Sequence, residues 1–281
     1  MHIMTVDVED WFHTFDSRYY NRSDKWRSLP STLERNVERW SDFLSEHQIK
    51  ATFFWLGWSA KRHQRLVRKL SEAGHEIGAH SYHHIKLSDL KPDDFRRDTR
   101  QALNILEDVT GKPVTSYRAP GFSAGKDTLW AFEILSELGI QKDSSLFAGR
   151  RLNLNHSVVP SEPFVVSGGG FRIKEFPVVG IPLFGGSFNY SGSGYFRISS
   201  LHLIKKRLLH APYMMYYFHP RDFDDGKVKK TDERLFFRLR YKVGTKKTLH
   251  KLATLNQKID FVDLETADAK IQWKKVKQFR L

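Results

Sequence analysis

Five polar clusters stand along the chain, each behind a short apolar run. Residues 3 to 8 read as a buried strand ending in carboxylates, with Asp7, Glu9 and Asp10 at its end. His80-Ser81-Tyr82-His83-His84 follows a strand at Glu76 to Ala79, and Arg118-Ala119-Pro120 follows strand-like residues near Tyr117. Asp143 ends a later run, and His219-Pro220 ends one at Tyr213 to Phe218. These groups can move protons and hold metal. His80 and His84 are four apart, a spacing that on a helical turn sets both imidazoles on one face, within reach of one cation. Two histidines and a carboxylate, with positions left for water, suit a divalent transition metal. Strand alternation puts Asp7 and Glu9 on one face, which favours Glu9 as that carboxylate. If the strand has already ended, Asp10 reaches instead.

Each of these residues also has an ordinary reading. A spaced histidine pair is often a solvated surface pair, Asp7 is a strand-end cap, and His219 is a loop histidine. Arg118 is a salt-bridge partner, and Asp143 caps a helix through Ser144-Ser145. His75 reads as structural, and His83 points away from the His80/His84 face. His2, His13, His47 and His63 carry no chemical signal. Trp11, Phe12 and Tyr82 fit a sugar site or plain packing equally well.

The elements that must position these groups alternate. After the first strand, a helix is expected over 31–47, with Leu33, Val37, Trp40, Phe43 and Leu44 at helical spacing. A strand follows at Ala51 to Leu56, then a helix from Arg62 to Ala73 closed by Gly74. Further helices are expected at Pro92 to Thr110 before Gly111, at Asp127 to Leu138 before Gly139, and at Ser199 to Leu209. Strands and helices at these intervals predict a parallel sheet or barrel, with functional groups at the carboxyl ends of its strands. Residues 149–197, rich in Gly, Ser, Pro and aromatics, break the rhythm and read as a lobe over one end of the barrel.

Length and composition bound the rest. The 281 residues, 40% hydrophobic and 28% charged, make one large domain with a substantial core. Cysteine is absent, which excludes disulfide scaffolds, thiolate zinc sites and a cysteine nucleophile. No secretion signal is evident at the start and no apolar run is long enough to span a bilayer, so a cytoplasmic location is expected. The formal net charge is +14, and residues 226–281 hold 16 Lys/Arg against 6 Asp/Glu.

In order, the blocks Thr5-Val6-Asp7-Val8-Glu9-Asp10-Trp11, Gly74 to His84, Tyr117-Arg118-Ala119-Pro120-Gly121-Phe122, Asp143-Ser144-Ser145 and Tyr217-Phe218-His219-Pro220 resemble the polysaccharide deacetylases of the NodB-homology family, carbohydrate esterase family 4. The similarity is to the branch that opens with D-V-E-D-W, and it covers roughly residues 1–225. It implies an α/β fold, a distorted (β/α)7 barrel. It implies a divalent metal, with zinc foremost and cobalt, nickel, manganese or iron as alternatives. Asp7 then resembles the catalytic base, and Glu9 or Asp10 the metal carboxylate. His80 and His84 resemble the metal histidines, Arg118 the arginine that orients the base, His219 the catalytic acid, and Asp143 the carboxylate that tunes it. The usual first block of the family has adjacent aspartates, and D-V-E-D-W departs from it.

The chemistry is consistent with these types. A metal polarises an amide carbonyl and lowers the pKa of water, and a carboxylate accepts the proton. The backbone amide after Pro120 is a candidate oxyanion donor. The expected function is hydrolysis of an N-acetyl group from an amino sugar, in a glycan or a lipid-linked precursor. The rivals are an amidohydrolase of the same fold acting on a small cyclic amide or ureide, and a non-catalytic glycan- or membrane-binding protein. The expected partition is a deacetylase domain over 1–225, with its lobe at 149–197, and a basic C-terminal extension over 226–281. In that extension Lys227, Lys229, Lys230, Arg234, Arg238, Arg240, Lys242, Lys246, Lys247 and Lys251 interleave with apolar residues. They read as a solvated face or as a contact with anionic lipid at the inner membrane surface, in preference to nucleic acid.

Overall fold

β1 (His2–Val8) is buried along its whole length, which explains why Ile3, Met4 and Val6 put apolar side chains on both of its faces. The computed structural model describes residues 1–148, 159–183, 186–224 and 242–280. β1 pairs in parallel with β2 (Thr52–Trp55) on one side and with β12 (Met214–Phe218) on the other. The sheet continues through β3 (Glu76–Ala79), β4 (Ser116–Tyr117) and β5 (Lys142–Asp143), all parallel. Asp7 therefore stands at the end of β1, Asp143 ends β5, and His80, Arg118 and His219 each follow directly on their strands, all at one rim.

Helices cross over between the strands. α1 (Leu33–Glu46) buries Leu33, Val37, Trp40, Phe43 and Leu44, the set expected from its spacing. The helix expected at 62–73 is α3 (Gln64–Glu72), and a short helix that was not expected, α2 (Gly57–Arg62), precedes it, set apart because His63 leaves helical geometry at φ −122°, ψ 40°. α4 (Pro92–Thr110) has the expected bounds, with proline in its first turn and Gly111 at φ 67° as its end. α5 (Trp130–Glu137) begins later than expected, after a 3₁₀ turn at Lys126–Thr128.

Part of the stretch expected as a lobe over the barrel is a hairpin that joins the main sheet, and its other described strands lie in small separate ladders. β6 (Phe147–Ala148) pairs with β9 (Val178–Val179). β7 (Phe164–Gly168) and β8 (Phe171–Glu175) form an antiparallel hairpin, and β8 extends the main sheet from β5. Gly169 and Gly170, at φ 48° and 90°, turn that hairpin. β10 (Ile181–Leu183) and β11 (Gly186–Phe188) form a small separate ladder. Residues 149–158 lie outside the described ones. α6 (Ser193–Ile198) and α7 (Leu201–Leu208) then lead to β12.

The basic C-terminal stretch is likewise not an appendage where it is described. α8 (Thr245–Asn256) buries Leu252 and Leu255, and α9 (Leu264–Lys270) buries Leu264 and Ala267. β13 (Phe261–Val262) pairs with His2 and Ile3 of β1, and β14 (Gln278–Arg280) pairs with β7. Lys251 is buried, its Nζ donating to the carbonyls of Phe196, Arg197 and Ser199 at 3.0, 2.8 and 2.7 Å. It is a helix-terminus clamp, a cation against the negative end of α6, and not a lipid contact. Lys227, Lys229, Lys230, Arg234, Arg238 and Arg240 lie outside the described residues.

Candidate active site

The end of β1 separates its three carboxylates. Asp10 turns toward α1, accepting from the amides of Trp11 at 2.9 Å and Thr32 at 3.2 Å and from the Ser31 hydroxyl. Free amides at a helix start draw a carboxylate strongly, and this one serves as a cap. Glu9 turns the other way, toward His80 and His84. One donor atom from each of Glu9, His80 and His84 lies within 4.8 Å of the others, and all three residues are buried. The structure therefore brings Glu9, and not Asp10, to the histidine pair.

The pair is not on a helix, contrary to the spacing argument. Residues 80–84 form an irregular turn with two left-handed residues, Ser81 at φ 61° and His84 at φ 59°. Asp98 of α4 holds this turn, accepting from the Tyr82 amide at 2.6 Å, the His83 amide at 3.2 Å and His83 Nδ1 at 2.8 Å. Ser81 Oγ accepts from the His84 amide at 3.0 Å, and the Ser81 carbonyl accepts from the Gly57 amide at 2.8 Å. Gly57 is required there, since a Cβ would lie 2.8 Å from the Tyr82 ring and 2.9 Å from Ala102 Cα.

The donor set fits a divalent cation. His80 Nδ1 donates to the Arg118 carbonyl at 2.8 Å, which directs Nε2 inward, and burial lowers the His80 pKa to about 4, so the imidazole is neutral. Glu9 Oε2 sits against His84 Nε2 and, although buried, has no well-directed hydrogen bond. Burial alone would raise the Glu9 carboxyl, but His84, Arg221 and His219 together hold it well below the usual carboxylate range. Two imidazole nitrogens and one carboxylate oxygen are suitable ligands for zinc or a neighbouring transition metal.

Asp7 stands beside them, held by a single bond from Arg118. Arg118 Nη1 donates to Asp7 Oδ1 at 2.6 Å and to Thr5 Oγ1 at 2.7 Å, and its other nitrogens reach Ser144 O at 3.3 Å and Ser144 Oγ at 3.0 Å. Its guanidinium also lies 4.2 Å above the Phe54 ring. Both members of this ion pair are buried, so removing either leaves an uncompensated charge.

His219 points its Nε2 at Glu9 Oε1, 3.5 Å away. Its Nδ1 lies 3.1 Å from Ser193 Oγ and 3.5 Å from Asp222 Oδ2, and its backbone amide donates to Asp222 Oδ2 at 2.8 Å. Asp222 is fully buried; burial would raise its pKa, but His219, Arg197 and Arg221 bring it down to about 2. The carboxylate beside His219 is thus Asp222, where the sequence pointed to Asp143. Among the described residues no hydrogen bond or ion pair joins Asp143 to His219. Asp143 Oδ1 and Oδ2 accept from Ser145 Oγ and its amide, both at 2.8 Å. Its carboxyl also bonds the neighbouring carboxyl of Glu175, and burial raises both groups, Glu175 strongly. One proton shared between them is the arrangement this favours.

These groups line a cavity of about 410 Å³, within the range of small-ligand sites. Asp7, Glu9, His80, His84 and His219 form its floor, and Phe15, Phe122, Tyr195, Ile198 and Tyr217 contribute apolar wall. Gly121 borders it at φ 65°, where a Cβ would come 2.5 Å from the Phe15 ring. Sequence reasoning missed Arg221, whose Nη1 donates to Glu9 Oε1 at 2.6 Å, together with Asp222, Ser193, Arg197 and Asp98. Arg221 and Asp222 directly follow His219-Pro220 and were within reach of that motif; Asp98 and Ser193 come from elements whose placement no local pattern reveals. His75 is structural as expected, accepting from the Ala51 amide at 3.3 Å.

A polysaccharide deacetylase family model matches residues 5–142, and a domain of unknown function (DUF3473) matches 144–269. The chain is 33% identical over 93 residues to a peptidoglycan-N-acetylglucosamine deacetylase of Bacillus cereus, covering 33% of this chain and 34% of that one. It is 32% identical over 107 residues to the peptidoglycan-N-acetylmuramic acid deacetylase PdaA of Bacillus subtilis, covering 36% and 41%. The chain thus spans well under half the length of these relatives. A crystal structure described as a putative polysaccharide deacetylase from Mycobacterium smegmatis superposes with TM-score 0.66 at 20% identity, covering 100% of this chain and 92% of that one. The shared architecture is the distorted (β/α)7 barrel of these deacetylases. Residues 5–142, which carry Asp7, Glu9, His80, His84 and Arg118, are a polysaccharide deacetylase domain of the NodB-homology, carbohydrate esterase 4 family.

Proposed function

We propose that the chain is a metal-dependent hydrolase that removes the N-acetyl group from an amino sugar in a glycan. The observation that carries this reading is the convergence of Glu9, His80 and His84 beside the Asp7–Arg118 pair in one cavity. A bound divalent cation would polarise the acetyl carbonyl and acidify the attacking water. Glu9, His80 and His84 would hold it. Asp7 takes the proton from water as it adds to the carbonyl carbon, and Arg118 keeps that carboxylate aimed. The Gly121 amide, bordering the cavity, is the candidate donor to the developing oxyanion. His219 gives a proton to the departing amine nitrogen as the C–N bond breaks, with Ser193 and Asp222 fixing its ring. The products are acetate and the free amino sugar.

Peptidoglycan-directed relatives support an N-acetylhexosamine glycan as the substrate class. The finer reading, a lipid-linked precursor met at the inner face of a membrane, is supported by the exposed Lys242, Lys246 and Lys247. Co-sedimentation with phosphatidylglycerol vesicles tests it. Binding that a Lys242/Lys246/Lys247→Gln variant leaves intact would remove its basis. Acetate release from chitooligosaccharides and peptidoglycan fragments tests the activity itself. Release that Asp7→Asn lowers by about 10²–10⁴-fold is expected; release unaffected by that change would refute the role of Asp7.

A further inference from the structure

Asp143 and Glu175 are a pair of buried acids that the reaction itself does not call on. They are register partners on β5 and β8, so their side chains leave the same face of the sheet side by side. Both are fully buried. The charges around them are already committed: Arg118 to Asp7 at 2.6 Å, Lys142 to Glu76 at 3.0 Å and Lys174 to Asp268 at 2.7 Å. The nearby Tyr117 and Tyr213 are neutral phenols, pushed up by burial. Two carboxylates here would face each other without a cation of their own, which a buried site disfavours strongly.

The hydrogen bonds show where the proton belongs. Asp143 accepts on both oxygens, from Ser145 Oγ and from the Ser145 amide, each at 2.8 Å. Glu175 Oε1 accepts from the Leu146 amide at 3.0 Å. Glu175 Oε2 is buried and receives no donor, so it is the oxygen left to carry a hydrogen. An acid there donates to the Asp143 carboxylate, and hydrogen bonds of that kind are strong. Burial and Asp143 together push Glu175 well above the usual carboxylate range, in keeping with this placement.

The turn that this pair closes, residues 143–146, supports the catalytic side at two points. Ser144 accepts from Arg118, its carbonyl 3.3 Å from Nε and its Oγ 3.0 Å from Nη2. Ser145 Oγ accepts from the Ala119 amide at 2.7 Å, two residues ahead of Gly121. We propose that Glu175 is a positioning residue that works as a neutral acid: by donating to Asp143 it locks the 143–146 turn, which aims Arg118 at Asp7 and sets the 119–121 segment with its oxyanion donor. This rests on the reading of the cavity as a deacetylase site. It gives a task to a strand in the segment matched by a domain of unknown function. The Arg118 carbonyl also accepts from His80 Nδ1 at 2.8 Å, so a loosened turn reaches His80 as well.

The test compares wild type with Glu175→Gln, which keeps a neutral donor, and Glu175→Ala, which removes it. Isotope-edited infrared spectra at pH 7 should show a protonated carboxyl in wild type that is missing from both variants, since an ordinary carboxyl with pKa about 4.3 is ionised there. On a chitooligosaccharide, Glu175→Ala should lose about 10–10²-fold in kcat with KM little changed, and Glu175→Gln should stay within about threefold of wild type. Zinc affinity should fall up to about tenfold in Glu175→Ala and hold in Glu175→Gln. The fold keeps a proton that the unfolded chain gives up above about pH 4.3, so wild type should lose stability relative to Glu175→Gln as pH rises. A Glu175→Gln protein that loses more than about tenfold in kcat would overturn the proposal, because the position would then need a charge. So would an infrared band that survives in Glu175→Gln, or a Glu175→Ala protein with wild-type kcat and zinc affinity. If wild type releases no acetate from any glycan, the deacetylase reading fails by itself. The infrared band and the zinc affinities then decide Glu175 without turnover: a band lost in Glu175→Gln and zinc weakened only in Glu175→Ala support it, and any other pattern refutes it.

Discussion

Replacing Asp98 with alanine separates the support of the proposed metal site from the site itself. Asp98 touches none of the cavity floor, yet its buried carboxylate accepts three hydrogen bonds from Tyr82 and His83, between His80 and His84. Hydrogen bonds to a charged group contribute about 1.5–3 kcal/mol each before water replaces them in part, so a net loss of about 3 kcal/mol of stability is reasonable. For a chain of this size that corresponds to a fall in Tm of roughly 6–12 °C. The turn also holds Ser81 and His84 in left-handed conformations that cost on the order of 1–2 kcal/mol each. Without Asp98 that strain has less to oppose it, and His84 swings relative to His80. Second-sphere losses of this kind weaken metal affinity about 10–100-fold. Zinc competition against a chromophoric chelator, run beside a thermal melt, measures both effects, with Asp98→Asn falling between. An Asp98→Ala protein that melts earlier but binds zinc as tightly as wild type would refute the argument that this carboxylate sets the ligand geometry.

Two further outcomes follow from the same structure. Gly121→Ala places a Cβ 2.5 Å from the Phe15 ring at a left-handed φ, so it should lower both Tm and acetate release; a variant as stable and active as wild type would contradict the close approach. Burial keeps His2 and His75 neutral in the fold, each with a pKa lowered to about 4. The unfolded chain takes up protons at these positions below about pH 6.5, so stability is whole above that value and declines as pH falls toward 4, by about 2 kcal/mol for each after allowing for partial exposure. Denaturant melts at pH 7 and pH 5 check this, and a His75→Gln chain with the same pH slope as wild type would count against it.

Much of this site was legible because parallel strands deliver their carboxyl ends to one rim, and the polar residues that follow each strand are local in sequence. Asp7, His80, Arg118 and His219 all declared themselves that way. What escaped was non-local or masked. Asp143 matched a motif position, but its fate depended on β8 bringing Glu175 alongside, a pairing no spacing records. The turn at His80–His84 had helical spacing without helical backbone, because Asp98 and Gly57, far along the chain, impose its shape. Glu9 and Asp10 were separable only once Ser31 and Thr32 were seen to engage Asp10. In the C-terminal stretch, a high count of lysine and arginine hid the regular burial of Leu252, Leu255, Phe261 and Leu264.

The most direct measurement is metal content and acetate release on the same preparations of wild type, Glu9→Gln and Asp10→Asn. The account predicts that wild type binds one divalent ion per chain and loses acetate release when stripped, regaining it when the ion is restored. Glu9→Gln should lose both ion and activity, whereas Asp10→Asn should keep the ion and show its defect in thermal stability. Stoichiometric metal in Glu9→Gln, or acetate release from the stripped wild type, would contradict it.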